Sequence, residues 1–468
     1  MVRKKAMVTK TVSAKAVLCS LAFVVAFSLG FQVAMARAEG NGPTAQIPAS
    51  IHSSTGEQPT FAYSRAAGCV IYLPMVMQVA TADSPASTPN DAYFKQEWGL
   101  EMVKASQAWK LTRGSSSVIV AVLDTGADWN HPDLASKLVS GWNVIDDNDD
   151  TQDDHGHGTH VAGIIGAATN NVIGVAGLGW DTKVMPVKIA TREGYTWSSA
   201  IASGIRYAAD HGANVINMSV AGAAPCPGDV QAAVDYAHEK GIVLVASAGN
   251  DGANVDNLPA NCTHVLGVAA TTSDGSLAGY SSYGNYVSVA APGSLIYSTM
   301  MGGGYGYMSG TSMAAPYVAG LAALVRSQYS VYTPDQIASA ILDNADEVGA
   351  GGWDQHAGCG RINAFQTLSR GACGDTPTCV VGAITPVSPT SQSLVTAPFV
   401  PGRIIVSFRA GVEAAQTAQR TGAGAEFVPA MRAWKVQVPQ GQELARLAAL
   451  RADPSVSYAD LDYELVIR

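Results

Sequence analysis

Three widely separated side chains, Asp124, His157 and Ser312, are of the types that together turn an alcohol into a nucleophile. Each stands in a segment rich in small residues: Val120-Ala-Val-Leu-Asp-Thr-Gly126, His157-Gly-Thr-His-Val-Ala-Gly163 and Ser309-Gly-Thr-Ser-Met-Ala-Ala-Pro316. A serine hydroxyl is a poor nucleophile at neutral pH. It needs a neutral imidazole to take its proton, and a carboxylate to fix the imidazole's tautomer and stabilise the imidazolium that forms. The three residues can fill those roles.

The flanking sequence says how they are held. Ser117 to Val122 is an apolar, β-branched run that predicts a buried strand delivering Asp124 at its carboxyl end, with Gly126 allowing a sharp exit. Open α/β sheets place function at that end. His157 opens a stretch of helical length, Val161 to Ala168, in which Gly158, Ala162 and Gly163 permit close packing. Ser312 starts a helix running towards Arg326, where unpaired backbone N–H groups favour negative charge and its own N–H can help hold an oxyanion.

The order Asp, His, Ser is that of subtilisin, and the chain resembles the subtilisin-like serine proteases, peptidase family S8, with thermitase-like features. The resemblance implies that Asn250, in Ser247-Ala-Gly-Asn-Asp251, donates its side-chain amide to the oxyanion. It places the substrate-lining segments at Ser219-Val220-Ala221-Gly222, Ser247-Ala248-Gly249 and Pro259-Ala260, small residues that suit a roomy, permissive P1 pocket. Asp251 at its rim could favour a basic P1 residue or be a solvated turn. The resemblance further implies structural Ca²⁺ held by Asp91, Asp133 and Asn171, whose loops offer the carboxylate, amide and backbone oxygens that a hard cation takes. No catalytic metal is implied.

Competing readings are weaker. Asp and Asn before Gly are ordinary turn residues, yet four such fragments in this order are hard to assign to unrelated turns. His155, His157 and His160 crowd together, but no Cys or further His lies nearby and the His-Glu-x-x-His pattern of zinc proteases is missing. An α/β-hydrolase esterase would need Gly-x-Ser-x-Gly, which the sequence lacks. A silent binding or scaffold protein on a protease fold is opposed by the intact catalytic positions.

With 468 residues and 47% hydrophobic content, the chain can bury a full core and has room for a large and a small domain. A net charge of −9 argues against nucleic-acid partners. Part of that charge is the run Asp146 to Asp154, which reads as a solvated surface or a weak ion site. Lys and Arg residues precede an apolar run from Ala16 to Val33 and small residues at Ala34-Met-Ala36 and Ala36-Arg-Ala38, the pattern of a signal peptide, residues 1–38. The expectation is a secreted, extracellular monomer with no stable membrane association once the signal is gone; an uncleaved anchor is the alternative. Six cysteines remain, suggesting disulfides. The expected pairs are Cys226–Cys262, Cys373–Cys379 and Cys69–Cys359.

Residues 39–89 read as a flexible lead-in and 90–370 as the catalytic domain. There, strand-like runs (Ser117 to Val122, Val184 to Ile189, Asn214 to Val220, Ile242 to Ala246, Val265 to Ala270, Val287 to Ala291) alternate with helical ones (Ser198 to Asp210, Asp229 to Lys240, Ser312 to Gln328, Pro334 to Asn344). That alternation predicts an α/β fold, a mainly parallel sheet with helices on both faces. After a linker, 371–401, residues 402–468 read as a small α+β, ferredoxin-like βαββαβ module: strand Arg403 to Phe408, helix Val412 to Thr421, hairpin Ala425 to Val438, helix Gln442 to Ala452, strand Val456 to Leu465.

Its Asp453-Pro-Ser-Val-Ser-Tyr458 is similar to the inhibitory propeptide of the same family, a module that normally precedes the protease. No such pattern is seen in residues 39–89. The resemblance implies that Leu465 to Arg468 occupies the substrate cleft by β-augmentation, with Arg468 at P1, as an intramolecular inhibitor and folding aid. Protein or peptide substrates are the other expected partners.

Overall fold

The six strand-like runs named between residues 117 and 291 become strands of one parallel sheet in the computed structural model, which describes residues 65–66, 69–70, 88–372, 374, 377–379, 397–409 and 424–467. The chain divides into two units, 1–76 and 77–468. In the first, the described residues are a ribbon in which Arg65–Ala66 pairs antiparallel with Cys69–Val70. The rest belong to the second.

The strands are β1 (Ile119–Asp124), β2 (Trp142–Asn143), β3 (Lys183–Lys188), β5 (Val215–Met218), β6 (Val243–Ser247), β7 (Val265–Thr271) and β8 (Val287–Pro292), with β4 (Tyr195–Trp197) lying outside their sheet. They form a 7-stranded sheet of order β8-β7-β6-β5-β1-β3-β2. Neighbours are parallel throughout. The order reverses at β1, and in such sheets a crevice opens beyond the carboxyl ends of the strands where this happens. Asp124 closes β1 there.

Helices cover both faces. Val120 and Val122 pack into one core with residues of α1 (His157–Gly166) and α4 (Thr311–Gln328), while Ala121 and Leu123 point into the other with residues of α2 (Ser198–Asp210) and α3 (Gly228–Glu239). Side chains of a strand alternate between faces, so a strand buried on both sides must be apolar at every position. That is why these strands read as unbroken apolar runs. A further helix, α5 (Pro334–Leu342), starts on a capping box in which Thr333 and Gln336 exchange side chain to backbone bonds.

The module after residue 397 is antiparallel. It comprises β9 (Phe399–Phe408), β10 (Ala425–Val428), β11 (Ala433–Gln437), α6 (Glu443–Arg451) and β12 (Val456–Val466). Its sheet has the order β10-β11-β9-β12-β4, so its strand β12 adds β4, from the α/β part of the chain, as a fifth strand. The sequence reading missed β4, a three-residue segment too short to show a pattern. The expected helix Val412 to Thr421 lies outside the described residues, as do the signal segment 1–38, most of the lead-in and most of the linker.

Among the described residues two disulfides are present, Cys226–Cys262 and Cys359–Cys379. The first is the expected pair. The second replaces the expected Cys373–Cys379 and Cys69–Cys359 pairs. Its cause is local: Asp343, just after α5, accepts hydrogen bonds from the Thr378 and Cys379 N–H groups at 2.6 and 3.1 Å, which brings Cys379 over the buried Cys359. Closeness in sequence was a poor guide to partner. Among the described residues no helix is long and apolar enough to cross a membrane.

Candidate active site

His157 is the first residue of α1, and its Nδ1 lies 2.8 Å from Asp124 Oδ1. Both side chains are buried. The Thr125 N–H also donates to Asp124 Oδ1 at 2.8 Å, which fixes the carboxylate at the strand end. Close approach of α1 to β1 requires Gly158, because a Cβ there would meet the Gly126 carbonyl and stand 3.1 Å from Asp124 Cβ. His157 Nε2 is buried with no hydrogen-bond partner. Burial alone would lower the His157 pKa, but the charge of Asp124, its hydrogen bond and the charge of Asp153 outweigh burial and raise it above the ordinary 6.5. His160 differs. It is buried and pushed down to about 4, chiefly by that burial, so it is neutral at physiological pH. Its Nε2 sits 3.1 Å from the Ile296 carbonyl.

Asp153, which the sequence reading left in a solvated acidic run, is 2% exposed. Its Oδ1 accepts from His155 N, Gly156 N and the Thr125 hydroxyl at 3.0, 2.9 and 2.8 Å, and its Oδ2 from Thr159 N and Oγ1 at 2.9 and 2.6 Å. Burial pushes this carboxyl up, yet those donors together hold it below its ordinary value. Asp153 therefore caps the helix that begins at His157 and ties it to Thr125. The signal available in the sequence was its spacing, four residues before His157, at the start of the helical stretch. Asp153→Asn puts an NH₂ group among donors. It is expected to lower both Tm and kcat, with about 1–3 kcal/mol of stability lost, measured by calorimetry and peptide hydrolysis side by side.

Ser312 lies in the first turn of α4, which packs against α1. Its hydroxyl donates to the Ser219 carbonyl at 3.2 Å, and the Ser219 hydroxyl donates to the Ser312 carbonyl at 2.8 Å. Asn250 follows β6. Its Oδ1 accepts from Thr311 N and Oγ1 at 2.9 and 3.0 Å, which fixes the amide and leaves the Nδ2 edge as donor. Thr311 also accepts from Gly249 N at 3.0 Å, so it clamps the Asn250 loop to the helix that carries Ser312. The sequence reading quoted Thr311 without seeing this role.

Ser312 and Asn250 line one recess of about 260 Å³ with Ser219, Ala221 and Gly222. Asp251 is on its wall as well. Val220, Ser247, Ala248, Gly249 and Ala260 are buried behind that surface and do not line the recess. Ser247 braces it, donating to the Val220 carbonyl at 3.1 Å.

Glu464, Leu465 and Val466 of the module complete the recess walls. They pair antiparallel with Trp197, Thr196 and Tyr195, and Ile467 N donates to the Gly194 carbonyl at 2.8 Å. Leu465 packs against Gly222, where a Cβ would stand 2.8 Å from Leu465 Cγ. Two carboxylates anchor this strand. Asp462 accepts from Ser199 N and Ser198 Oγ at the start of α2 (3.0 and 3.1 Å), and from Ser199 Oγ and Arg403 Nη1 (both 2.9 Å). Asp460 accepts from Gly228 N, the first residue of α3, at 2.7 Å. Each thus meets orphan donors and the positive end of a helix dipole. The sequence reading singled out neither. Arg468 lies outside the described residues.

Asp91, Asp133 and Asn171 also converge. Asp91 accepts from Asn170 N at 2.8 Å and Asn171 N at 3.3 Å, and Asp133 from Val175 N at 2.8 Å and Asn171 Nδ2 at 2.6 Å. Burial raises the pKa of both carboxyls, and the charge of Asp91 adds to the rise at Asp133. Two buried carboxylates side by side, with the charge of Asp91 felt at Asp133, fit a hard cation. Asn171 fits only with its amide turned, since here it presents Nδ2 to Asp133 while its Oδ1 accepts from Ile173 N.

The chain is similar to known proteins. The Subtilase family matches residues 115–360, and the Fervidolysin N-terminal prodomain matches residues 385–462. Thermitase of Thermoactinomyces vulgaris is 43% identical over 284 residues, 60% of this chain and 99% of that protein. The thermophilic serine proteinase of Bacillus sp. (strain AK1) is 43% identical over 286 residues, 61% of this chain and 70% of its own. The extracellular protease of Xanthomonas campestris pv. campestris is 36% identical over 327 residues, and the match spans 56% of its length. A solved protease from Pseudoalteromonas arctica PAMC 21717 superposes with a TM-score of 0.56 at 33% identity, covering 60% of this chain and 98% of that one.

Proposed function

Since this chain belongs to the subtilase family and is a serine endopeptidase, we propose that Asp124, His157, Ser312 and Asn250 carry its chemistry, that it is secreted, and that its own carboxyl-terminal module restrains it. The observation that carries the reading is the buried His157–Asp124 pair with Nε2 left unpartnered.

In that mechanism His157 Nε2 takes the Ser312 proton as Oγ attacks the scissile carbonyl carbon. Asn250 Nδ2 and the Ser312 N–H hold the oxyanion, and the imidazolium, stabilised by Asp124, returns the proton to the leaving amine. Water then hydrolyses the acyl-enzyme by the same path. Ser219, Ala221 and Gly222, with Ser247, Ala248, Gly249, Val220 and Ala260 behind them, form a permissive P1 region, and extended pairing to β4 supplies affinity.

We assign residues 1–38 to a secretion signal, 90–370 to the peptidase and 402–468 to the inhibitory module. The likeness to an extracellular protease supports export, and the prodomain match supports the module's role.

The test is the pH profile of peptide hydrolysis by enzyme freed of its tail. The base must be neutral, and its pKa is raised, so kcat/KM is expected to fall as the pH drops through a value above 6.5. Activity that persists unchanged well below that value, or none at any pH, would overturn the assignment.

Asp91, Asp133 and Asn171 would hold Ca²⁺, which when bound supplies charge compensation and cross-links the segments around residues 91, 133 and 171. Chelation of the Ser312→Ala protein is expected to lower Tm by about 5–10 °C, restored by Ca²⁺. An unchanged Tm would remove the ion from the proposal.

A further inference from the structure

A second cluster lies at the opposite end of the sheet. His238 is in the last turn of α3, His264 immediately precedes β7, and Asp335 is in the first turn of α5. They flank a recess of about 140 Å³ whose floor includes Val243, Leu244, Val265 and Leu266. These residues open β6 and β7. The recess therefore sits at the amino ends of strands whose carboxyl ends lead towards Asn250 and the active site.

We propose that His238, His264 and Asp335 form a binding site for a late first-row divalent cation, with zinc as the cation to test, and that the bound ion acts as a structural staple. Each residue offers one ligand atom, and these atoms all lie within 4.8 Å of one another. Two imidazole nitrogens with a carboxylate oxygen are a donor set for zinc or its neighbours rather than for Ca²⁺. His238 Nε2 and Asp335 Oδ1 are 3.0 Å apart. That is close to the roughly 3.3 Å separating two ligands of one tetrahedral zinc with bonds of about 2.0–2.1 Å. The two imidazoles stack with centroids 4.0 Å apart and planes 20° from parallel, which puts their in-plane lone pairs side by side, so one ring must turn out of the stack for both to meet one ion. His264 is exposed, and rotation of its side chain closes the remaining gap. Water completes the coordination.

The backbone around the cluster is fixed before any ion arrives. His264 has φ +67°, a left-handed conformation uncommon for a residue with a side chain, and the Cys226–Cys262 disulfide pins the chain two residues earlier. The capping box at Thr333 and Gln336 sets the start of α5. The apolar floor limits water access on the inner side. The ion would join three segments far apart in sequence, and a ligand that binds the folded form alone stabilises it by mass action. Because the active site is at the other end of the sheet, the effect falls on stability and leaves the chemistry alone.

The experiment uses the full chain carrying Ser312→Ala, which prevents self-digestion, in saturating Ca²⁺ to occupy oxygen-ligand sites. Zinc content after gel filtration, Tm with and without zinc, and the visible absorption of added Co²⁺ are compared with those of His264→Asn and Asp335→Asn in the same background. Asn is tolerated at left-handed φ, and Asp335 is exposed, so each variant should keep its metal-free Tm. The proposal expects one zinc per chain lost in both variants. It also expects a Tm rise of about 5 °C at a hundredfold excess of zinc over its dissociation constant that both variants abolish. The same zinc content and Tm shift in parent and variants, or no zinc bound at micromolar concentration, would overturn it and leave a plain His238–Asp335 ion pair.

Discussion

Ser312→Ala is expected to lower kcat/KM for peptide hydrolysis by about 10⁶-fold, the scale on which members of such a triad act as a unit. The size follows from removing the only atom that forms the acyl bond. His157 and Asp124 would then have no proton to move, although the recess walls and the Asn250 amide remain. Asn250→Ala should cost less, about 10²–10³-fold in kcat, because the Ser312 N–H still faces the oxyanion. Thr311→Val belongs with it: the amide loses one of its two donors from Thr311. Val keeps the shape of Thr311 but takes the acceptor from the buried Gly249 N–H, so a stability loss of about 1–3 kcal/mol should accompany it. Equal losses for Ser312→Ala and Asn250→Ala would contradict the division of roles.

The second large effect concerns the tail. Deleting residues 463–468 removes the segment that pairs with β4 and packs Leu465 on Gly222. It is expected to raise steady-state hydrolysis by about 10–100-fold. A tethered segment has an effective concentration in the millimolar range, so even weak cleft binding suffices to inhibit in cis. Asp462→Ala tests the same contact from the other side. It strips the start of α2 of an acceptor that takes four hydrogen bonds. A loss of about 2–5 kcal/mol is expected for one partner of a buried charged contact, enough to release the tail. Truncation at Gly402 separates inhibition from folding: poor refolding rescued by the module in trans supports an assisting role. Unchanged refolding and unchanged activity would remove both roles.

The residues proposed to carry the chemistry stand out in the sequence because each needs a particular local setting, and the structure supplies those settings: Asp124 a strand end, His157 and Ser312 helix starts. Strand and helix starts are written in apolar period and small residues. The parallel sheet was legible for the same reason. What escaped was anything decided by distance in space. Asp153 looked like one of several acids in a polar run, and only the fold shows donors from Thr125, His155, Gly156 and Thr159 closing round it. Asp460 and Asp462 lay in a strand pattern where acids read as solvent-facing, whereas the starts of α2 and α3 bury them. The pairing of Cys359 with Cys379 was set by Asp343, which no cysteine spacing encodes.

The most direct measurement is mass spectrometry of the purified protein after reaction with a phosphonofluoridate, followed by peptide mapping. One adduct per chain is expected, on the peptide containing Ser312. It should form faster after residues 463–468 are removed and be absent from Ser312→Ala and strongly slowed in His157→Ala. No adduct, or an adduct on another residue that survives Ser312→Ala, would contradict the assignment of Ser312 as the nucleophile.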